Sequence, residues 1–310
     1  MRDLFIKTLS ELCEKYPDII LVTGDLGFGV LNEYKKRFPS NFINAGVAEQ
    51  NMTGIATGLA LEGKKVFTYS IANFPTLRCL EQIRNDACYH NANVTIVSIG
   101  GGFSYGALGI SHHATEDLAI LRSLPDITII CPAGKWEIEN ATKAIYGHQG
   151  TCYLRIDKSM GDDSPSVKSE NFEIGKGRVL YEGSNCTIIV TGGILEEALI
   201  AKNILSEVGI EVKIISMHTI KPIDTELIIA ACKSTQILIT LEEHTIIGGL
   251  GGAVAEIIAE NSINHLTFKR MGLNKGFSSI VGSQKYLRKR YKIDSLSIAN
   301  TIKGLVKAHN

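Results

Sequence analysis

The 310-residue chain predicts two doubly wound α/β domains in tandem, and three observations carry that prediction. Short β-branched runs alternate with helical patterns along most of the length, as parallel sheets require. Several of those runs stop at glycine-rich turns, where such folds present polar groups at the carboxyl edge of a sheet. A polar stretch at 157–183, broken by glycine and proline, interrupts the alternation, and a second alternating pattern follows it. Two domains are also the ordinary expectation for this length.

Taken in order, residues 3–14 read as an amphipathic helix with Leu4, Ile6, Leu9 and Leu12 on its apolar side. A strand at 19–23 stops at Gly24-Asp25-Leu26-Gly27. Residues 44–60 are small and apolar apart from one carboxylate, Glu49, near their head. Gly54 and Gly58 follow at helical spacing, each costing a helix interior about 1 kcal/mol relative to alanine. Close approach of another backbone is the usual reason for such glycines. Two readings of the stretch stand open: an interface helix holding a functional acid, or a core helix with a solvated first-turn glutamate that suits the helix dipole.

Strands are expected at 66–69, 94–99, 127–131 and 151–156, and helices at 75–90 and 136–146. The strand at 94–99 runs into a loop, residues 100–109, with five glycines in ten residues, too many for a regular element. Adjacent histidines, His112 and His113, come next. A ligand-positioning role beside the loop and plain solvation are both open for them. In the second pattern, strands are expected at 186–191, 211–216, 236–241 and 266–271, with helix caps at Asp224 and Asp294. The glycines at 248–252 fit packing at a helix start better than a dinucleotide fingerprint, because residues 242–247 separate them from the strand.

Composition removes whole classes of function. Thirty-two basic residues balance 32 acidic ones, so nothing points to nucleic acid or an anionic membrane. No apolar run nears the ~18 residues of a membrane span. Seven scattered cysteines without a C-x-x-C pair fit a reducing cytoplasm, the expected location, and argue against structural zinc or a disulfide framework. P-loop, nucleophile-elbow and H-E-x-x-H motifs are absent from the sequence. What remains is convergence: Asp25, Glu49 and His112 would all sit at the carboxyl edge of one sheet, where such folds bind ligands.

With Arg2, T-G-D-L-G at 23–27, G-V-A-E-Q at 46–50, S-H-H-A-T-E-D at 111–117, C-P-A at 131–133 and L-E-E-H at 241–244, nearly the whole chain resembles the C-terminal half of transketolase. It is particularly similar to the separate C-terminal subunits of split transketolases. The resemblance implies a pyrimidine-binding domain at 1–160, a linker at 161–184 and a transketolase C-terminal domain at 185–310. It implies thiamine diphosphate as cofactor and ketol transfer between sugars or sugar phosphates as the reaction. A deoxyxylulose-phosphate synthase-like protein, a 2-oxoacid dehydrogenase beta subunit and a non-catalytic interaction subunit are the alternatives.

The resemblance also assigns residues. Glu49 would hold and activate the pyrimidine, with its pKa raised by burial to suit that role. Phe74 would pack on the ring, and Ile71 stands where transketolases often carry another aromatic. Asp25 would lie near the cationic thiazolium and His112 by the aminopyrimidine and the reacting oxygens. Arg2 and Arg155 would take the sugar phosphate. Leu108 and Gly100 fall near positions where the family has a hydroxyl-reading acid and a phosphate-binding histidine, which points away from a standard pentose phosphate. No G-D-G motif with its later asparagine is present. Mg²⁺ and the diphosphate are therefore expected on an N-terminal-type partner subunit in a heterotetramer, the Gly54/Gly58 face at its centre, with no metal ligand from this chain.

Overall fold

The computed structural model describes residues 1–158, 171–274 and 276–309. Its first sheet contains β1 (Ile19–Thr23), β2 (Phe42–Asn44), β3 (Lys65–Ile71), β4 (Val94–Ile99), β5 (Ile127–Ile130) and β6 (Thr151–Ile156). The second contains β7 (Arg178–Tyr181), β8 (Cys186–Val190) and β9 (Val212–Ser216), then β11 (Ile237–Thr245) and β12 (Thr267–Leu273). Between β9 and β11 in the chain, β10 (Thr219–Lys221) crosses back and pairs antiparallel with β5 in the first sheet. The strand orders are β10-β5-β6-β4-β3-β1-β2 and β12-β11-β8-β9-β7. Apart from β10 and the antiparallel edge strand β7, every pairing is parallel. β1, β4, β5, β6 and β8 are buried along their whole length, as sheets covered on both faces demand of their Ile, Val and Thr runs.

One face of the first sheet packs on helices Arg2–Lys15 and Lys135–Gly147 through Phe5, Leu9, Ile138 and Ile145. The opposite face shares a single buried cluster with the second domain, containing Met52, Ile96 and Leu118 on one side and Ile215, Ile228 and Val254 on the other. Helices Leu195–Ser206 and Ser295–His309 cover the far face of the second sheet. A continuous apolar interface makes the two domains one body rather than beads on a tether.

Some expectations need amendment. β7 and the bond from Gly177 N–H to Asp224 Oδ2 (3.0 Å) tie the latter part of 161–184 to the second domain, so that domain begins before 185; residues 159–170 lie outside the described residues. The helix expected at 75–90 starts later, with one α-turn at Leu80–Gln82 running into π geometry over Ile83–Cys88. Asp224 caps its helix by accepting from Leu227 N–H at 3.1 Å. At the 248–252 glycines the Glu242 carboxylate accepts from Leu250 and Gly251 N–H, both at 2.8 Å, and a Cβ on Gly249 would collide with it. That is helix-start packing. For Gly54 and Gly58 the chain itself supplies no close neighbour: nothing lies within 4 Å of a Cβ at either position.

Candidate functional site

The site lies where β1, β2, β3 and β4 end together. β1 delivers Asp25 in a left-handed conformation (φ 56°), which costs a non-glycine residue roughly 1–2 kcal/mol. Asn44, the last residue of β2, supports it. Its side-chain oxygen accepts from Asp25 N–H and Gly46 N–H, both at 3.0 Å, and its amide donates to Asp25 Oδ1 at 2.9 Å. One side chain thus fixes two loops, and Gly46 (φ 74°) turns the chain into helix Glu49–Leu61. β3 ends at Ile71, whose carbonyl accepts from Phe74 N–H at 2.8 Å and so sets the turn that presents the Phe74 ring.

Glu49 opens that helix with only 4 % of its surface exposed. It borders a cavity of about 450 Å³ whose walls are residues 47–51 and Arg78. Gly24 lies so close that a Cβ there would touch the Glu49 side chain at 3.5 Å. A partner that the sequence gives no warning of completes the arrangement. Arg78 Nη1 donates to Glu49 Oε2 at 2.9 Å while its guanidinium lies 4.4 Å over the Phe74 ring. The sequence leads one to expect Glu49 as a buried acid alone. From sequence, Arg78 reads as one more polar residue on a helix face, because 29 residues separate it from Glu49.

The glycine-rich loop after β4 is held against this wall. Gly102 and Ala114 exchange backbone hydrogen bonds at 2.9 and 3.0 Å. Gly100 (φ 94°) has no room for a side chain, since a Cβ would sit 2.2 Å from the Tyr105 ring. The adjacent histidines take opposite roles. His113 is fully buried, with Nε2 3.1 Å from the Gly106 carbonyl and its ring edge-on to Phe103. His112 turns outward, edge-on to Phe74 at 5.2 Å between centroids, with Nδ1 3.0 Å from Ser111 Oγ. The Asn73 amide donates to the His113 carbonyl at 2.6 Å and fixes the backbone beside His112. Partial burial, then the neighbouring His113, lower the pKa of His112, so near neutral pH it is an uncharged imidazole.

Arg155 is not at the site. It is 2 % exposed, with Nε on Asp117 Oδ2 at 2.9 Å and Nη2 on the carbonyls of Ala114 (2.8 Å) and Glu243 (3.2 Å). Tyr153, two residues earlier on the same face of β6, donates to the same Asp117 oxygen at 2.6 Å. A guanidinium buried and bonded in this way at the domain interface is placed as a structural group, apart from Glu49, Phe74 and His112, and not as the exposed phosphate-binding fork that the resemblance implies. The exposed cation of that segment is Lys158, just past the strand end, with Nζ 4.5 Å over the Tyr105 ring. Tyr105 in turn tilts against His112 at 6.2 Å and interacts electrostatically with Arg2. Arg2 is half-buried, pairs with Asp3 at 3.0 Å, and borders a second cavity of about 450 Å³ with Phe28 and Val30. Both faces of β6 are covered, so Arg155 is buried like every other residue of that strand, and Lys158, past the strand end, is exposed.

The assembled residues fit an aminopyrimidine: a buried carboxylate for a ring nitrogen, an aromatic face to stack on, and an uncharged imidazole at the rim. Among the described residues no group of three or more His, Cys, Asp or Glu is placed to hold a metal ion.

Residues 1–162 match the transketolase pyrimidine-binding domain, and residues 175–298 the transketolase C-terminal domain. A Methanocaldococcus jannaschii protein provisionally named a transketolase C-terminal section is 42 % identical over 97 % of this chain and 95 % of its own. One of the subunits of an apulose-4-phosphate transketolase from Phocaeicola vulgatus is 37 % identical over 84 % of each chain. Among solved structures, a split-gene transketolase in an inactive beta4 tetramer superposes with a TM-score of 0.87 at 33 % identity, covering 99 % of this chain and 97 % of that one.

Proposed function

The chain belongs to the transketolase family, a transketolase-type transferase, and from that premise we propose that it is the pyrimidine-activating subunit of a two-chain, thiamine-diphosphate-dependent ketol transferase. The observation that carries the proposal is the buried Glu49 carboxylate beside the Phe74 ring, with His112 edge-on to the same ring. When bound, the cofactor supplies the electron sink for making and breaking a carbon–carbon bond next to a ketone. Glu49 would hold a ring nitrogen of the cofactor's pyrimidine by a hydrogen bond and so favour the tautomer that serves as a base. Phe74 and Ile71 flank the ring. Asp25 sets a negative charge near the thiazolium cation, rigidly, because Asn44 fixes it. His112, uncharged, exchanges hydrogen bonds with the reacting oxygens.

Arg2 and Lys158, the latter over the Tyr105 ring, hold an anionic group on the substrate. Tyr105 fills the space beside Gly100, and Leu108 is exposed on the loop, so the sugar's hydroxyls are read differently from those of a standard pentose phosphate. Mg²⁺ and the diphosphate are assigned to an N-terminal-type partner. Gly54, Gly58 and Leu61, exposed on helix Glu49–Leu61, form the surface for assembly with exposed Val47 just before the helix, into a heterotetramer with two copies of each chain. Seven buried, unbridged cysteines suit a cytoplasmic location. Among the described residues no helix is long and apolar enough to cross a membrane.

The test is ketol transfer by the chain co-expressed with an N-terminal-type partner, offered xylulose 5-phosphate, other ketose phosphates and unphosphorylated ketoses. Transfer from a phosphorylated donor that requires Glu49 supports the reading. A pair that binds cofactor but transfers from none of them contradicts it.

A further inference from the structure

The ion pair between Arg78 and Glu49 has a shape that its charges alone do not require. The guanidinium contacts the Glu49 carboxylate edge-on at 2.9 Å and the Phe74 face at 4.4 Å. Those are the two contacts that the proposed function gives to an aminopyrimidine: a planar N–C–N group bonded to Glu49 and stacked on Phe74. Arg78 is 51 % exposed at its side chain, and Glu49 is its one ion-pair partner among the described residues. Nothing else among the described residues anchors it there.

We propose that Arg78 is a resident stand-in for the cofactor's pyrimidine: in the free chain its guanidinium occupies the slot between Glu49 and Phe74, and cofactor binding requires it to swing out to solvent. The inference rests on the thiamine reading of the same site. Its logic is geometric: the carboxylate that accepts from Arg78 is the group a ring nitrogen would bond, and the Phe74 face under the guanidinium is the face a pyrimidine would stack on. The two partners therefore compete for one carboxylate and one aromatic face. The geometry of the slot favours such an exchange. Gly24 and the buried start of the helix fix Glu49 from behind, and Arg78 reaches it from the open side of the cavity. A site closed this way presents no naked buried carboxylate before assembly, and it ties cofactor uptake to displacement of a side chain.

Competition of this kind lowers apparent affinity by the fraction of time the slot is free. Arg78→Met retains most of the aliphatic stem and removes the planar cation. In the assembled two-chain enzyme, titrated with thiamine diphosphate at saturating Mg²⁺ and followed by calorimetry, the variant is expected to bind roughly five- to tenfold more tightly than wild type. Arg78→Lys keeps a cation but not the planar edge, and is expected to fall between the two. Equal or weaker binding by Arg78→Met, with an unchanged unfolding midpoint, overturns the stand-in and leaves the thiamine reading in place. Failure of the wild-type pair to bind thiamine diphosphate overturns both. Loss of the fold in Arg78→Met overturns the stand-in as well, since it would make the pair a structural requirement.

Discussion

Arg155 and Lys158 stand three positions apart at one strand end, the first buried on Asp117 and the second exposed over the Tyr105 ring, where we propose it meets substrate. Removing Arg155 strands Asp117 without its cation inside the protein, and breaking a buried pair in that way costs about 3–5 kcal/mol. Arg155→Met is therefore expected to lower stability by that amount in urea unfolding. Lys158→Met is expected to leave stability within about 0.5 kcal/mol and to raise KM for a phosphorylated donor roughly tenfold, with kcat little changed. The reverse pattern would return the substrate role to Arg155. Sequence singled out candidates at this scale only where a motif marks them. Glu49, His112 and Asp25 stand in recognisable local patterns, and the structure sets them along one edge. The contacts of Arg78 and Lys158 arise only once distant segments meet, and no local pattern announces them.

Helix Glu49–Leu61 is the element we propose as the assembly surface. Its buried face, Met52, Ala56 and Ala60, docks on the first sheet, while Gly54 and Gly58 lie exposed on the other side. Within the chain those glycines have only their cost, about 1 kcal/mol each against alanine. Gly54→Ala/Gly58→Ala is thus expected to stabilise the isolated chain by about 1–2 kcal/mol and to weaken its association. Unfolding of the isolated chain and sedimentation of the pair measure the two effects separately. Stabilisation with undiminished association would mean that no backbone packs on this face. The helix itself was legible from apolar spacing, as were most strands from their β-branched runs. Two elements were not. Strand β2 has only three residues, and nothing in Phe42–Asn44 distinguishes it from the start of the segment that follows. The π geometry at Ile83–Cys88 leaves no mark in a pattern that repeats every three or four residues.

The whole molecule is held by polar groups buried between the domains as well as by the shared apolar cluster. His244 of β11 accepts from Ala119 N–H across that boundary at 3.4 Å, and burial lowers its pKa to about 4 from the ordinary 6.5. Its contribution to stability is present in full above pH 6.5 and is lost as the pH falls toward 4, because the unfolded chain takes up the proton first. Burial pushes the neighbouring Glu242 up to about 7, which works in the opposite sense between pH 4.5 and 7. Comparison of His244→Gln with wild type isolates the histidine. The stability difference between them should shrink from pH 7 to pH 5, and a constant difference would show that the buried imidazole does not titrate on unfolding. Two domains were legible from the interrupted alternation of strands and helices. The return of β10 into the first sheet was not, since its three residues fit either sheet by composition. The central claim at this scale is that the chain supplies the pyrimidine-activating half of a cofactor site whose metal-binding half lies on another subunit. The most direct measurement is a near-ultraviolet circular dichroism titration with thiamine diphosphate and Mg²⁺, run on this chain alone, on the pair, and on the pair carrying Glu49→Ala. The account predicts a saturable signal with ketol transfer from the wild-type pair alone, and turnover lowered at least ~10²-fold by Glu49→Ala. Tight binding of the complete cofactor by this chain alone, or full turnover by the Glu49→Ala pair, would contradict it.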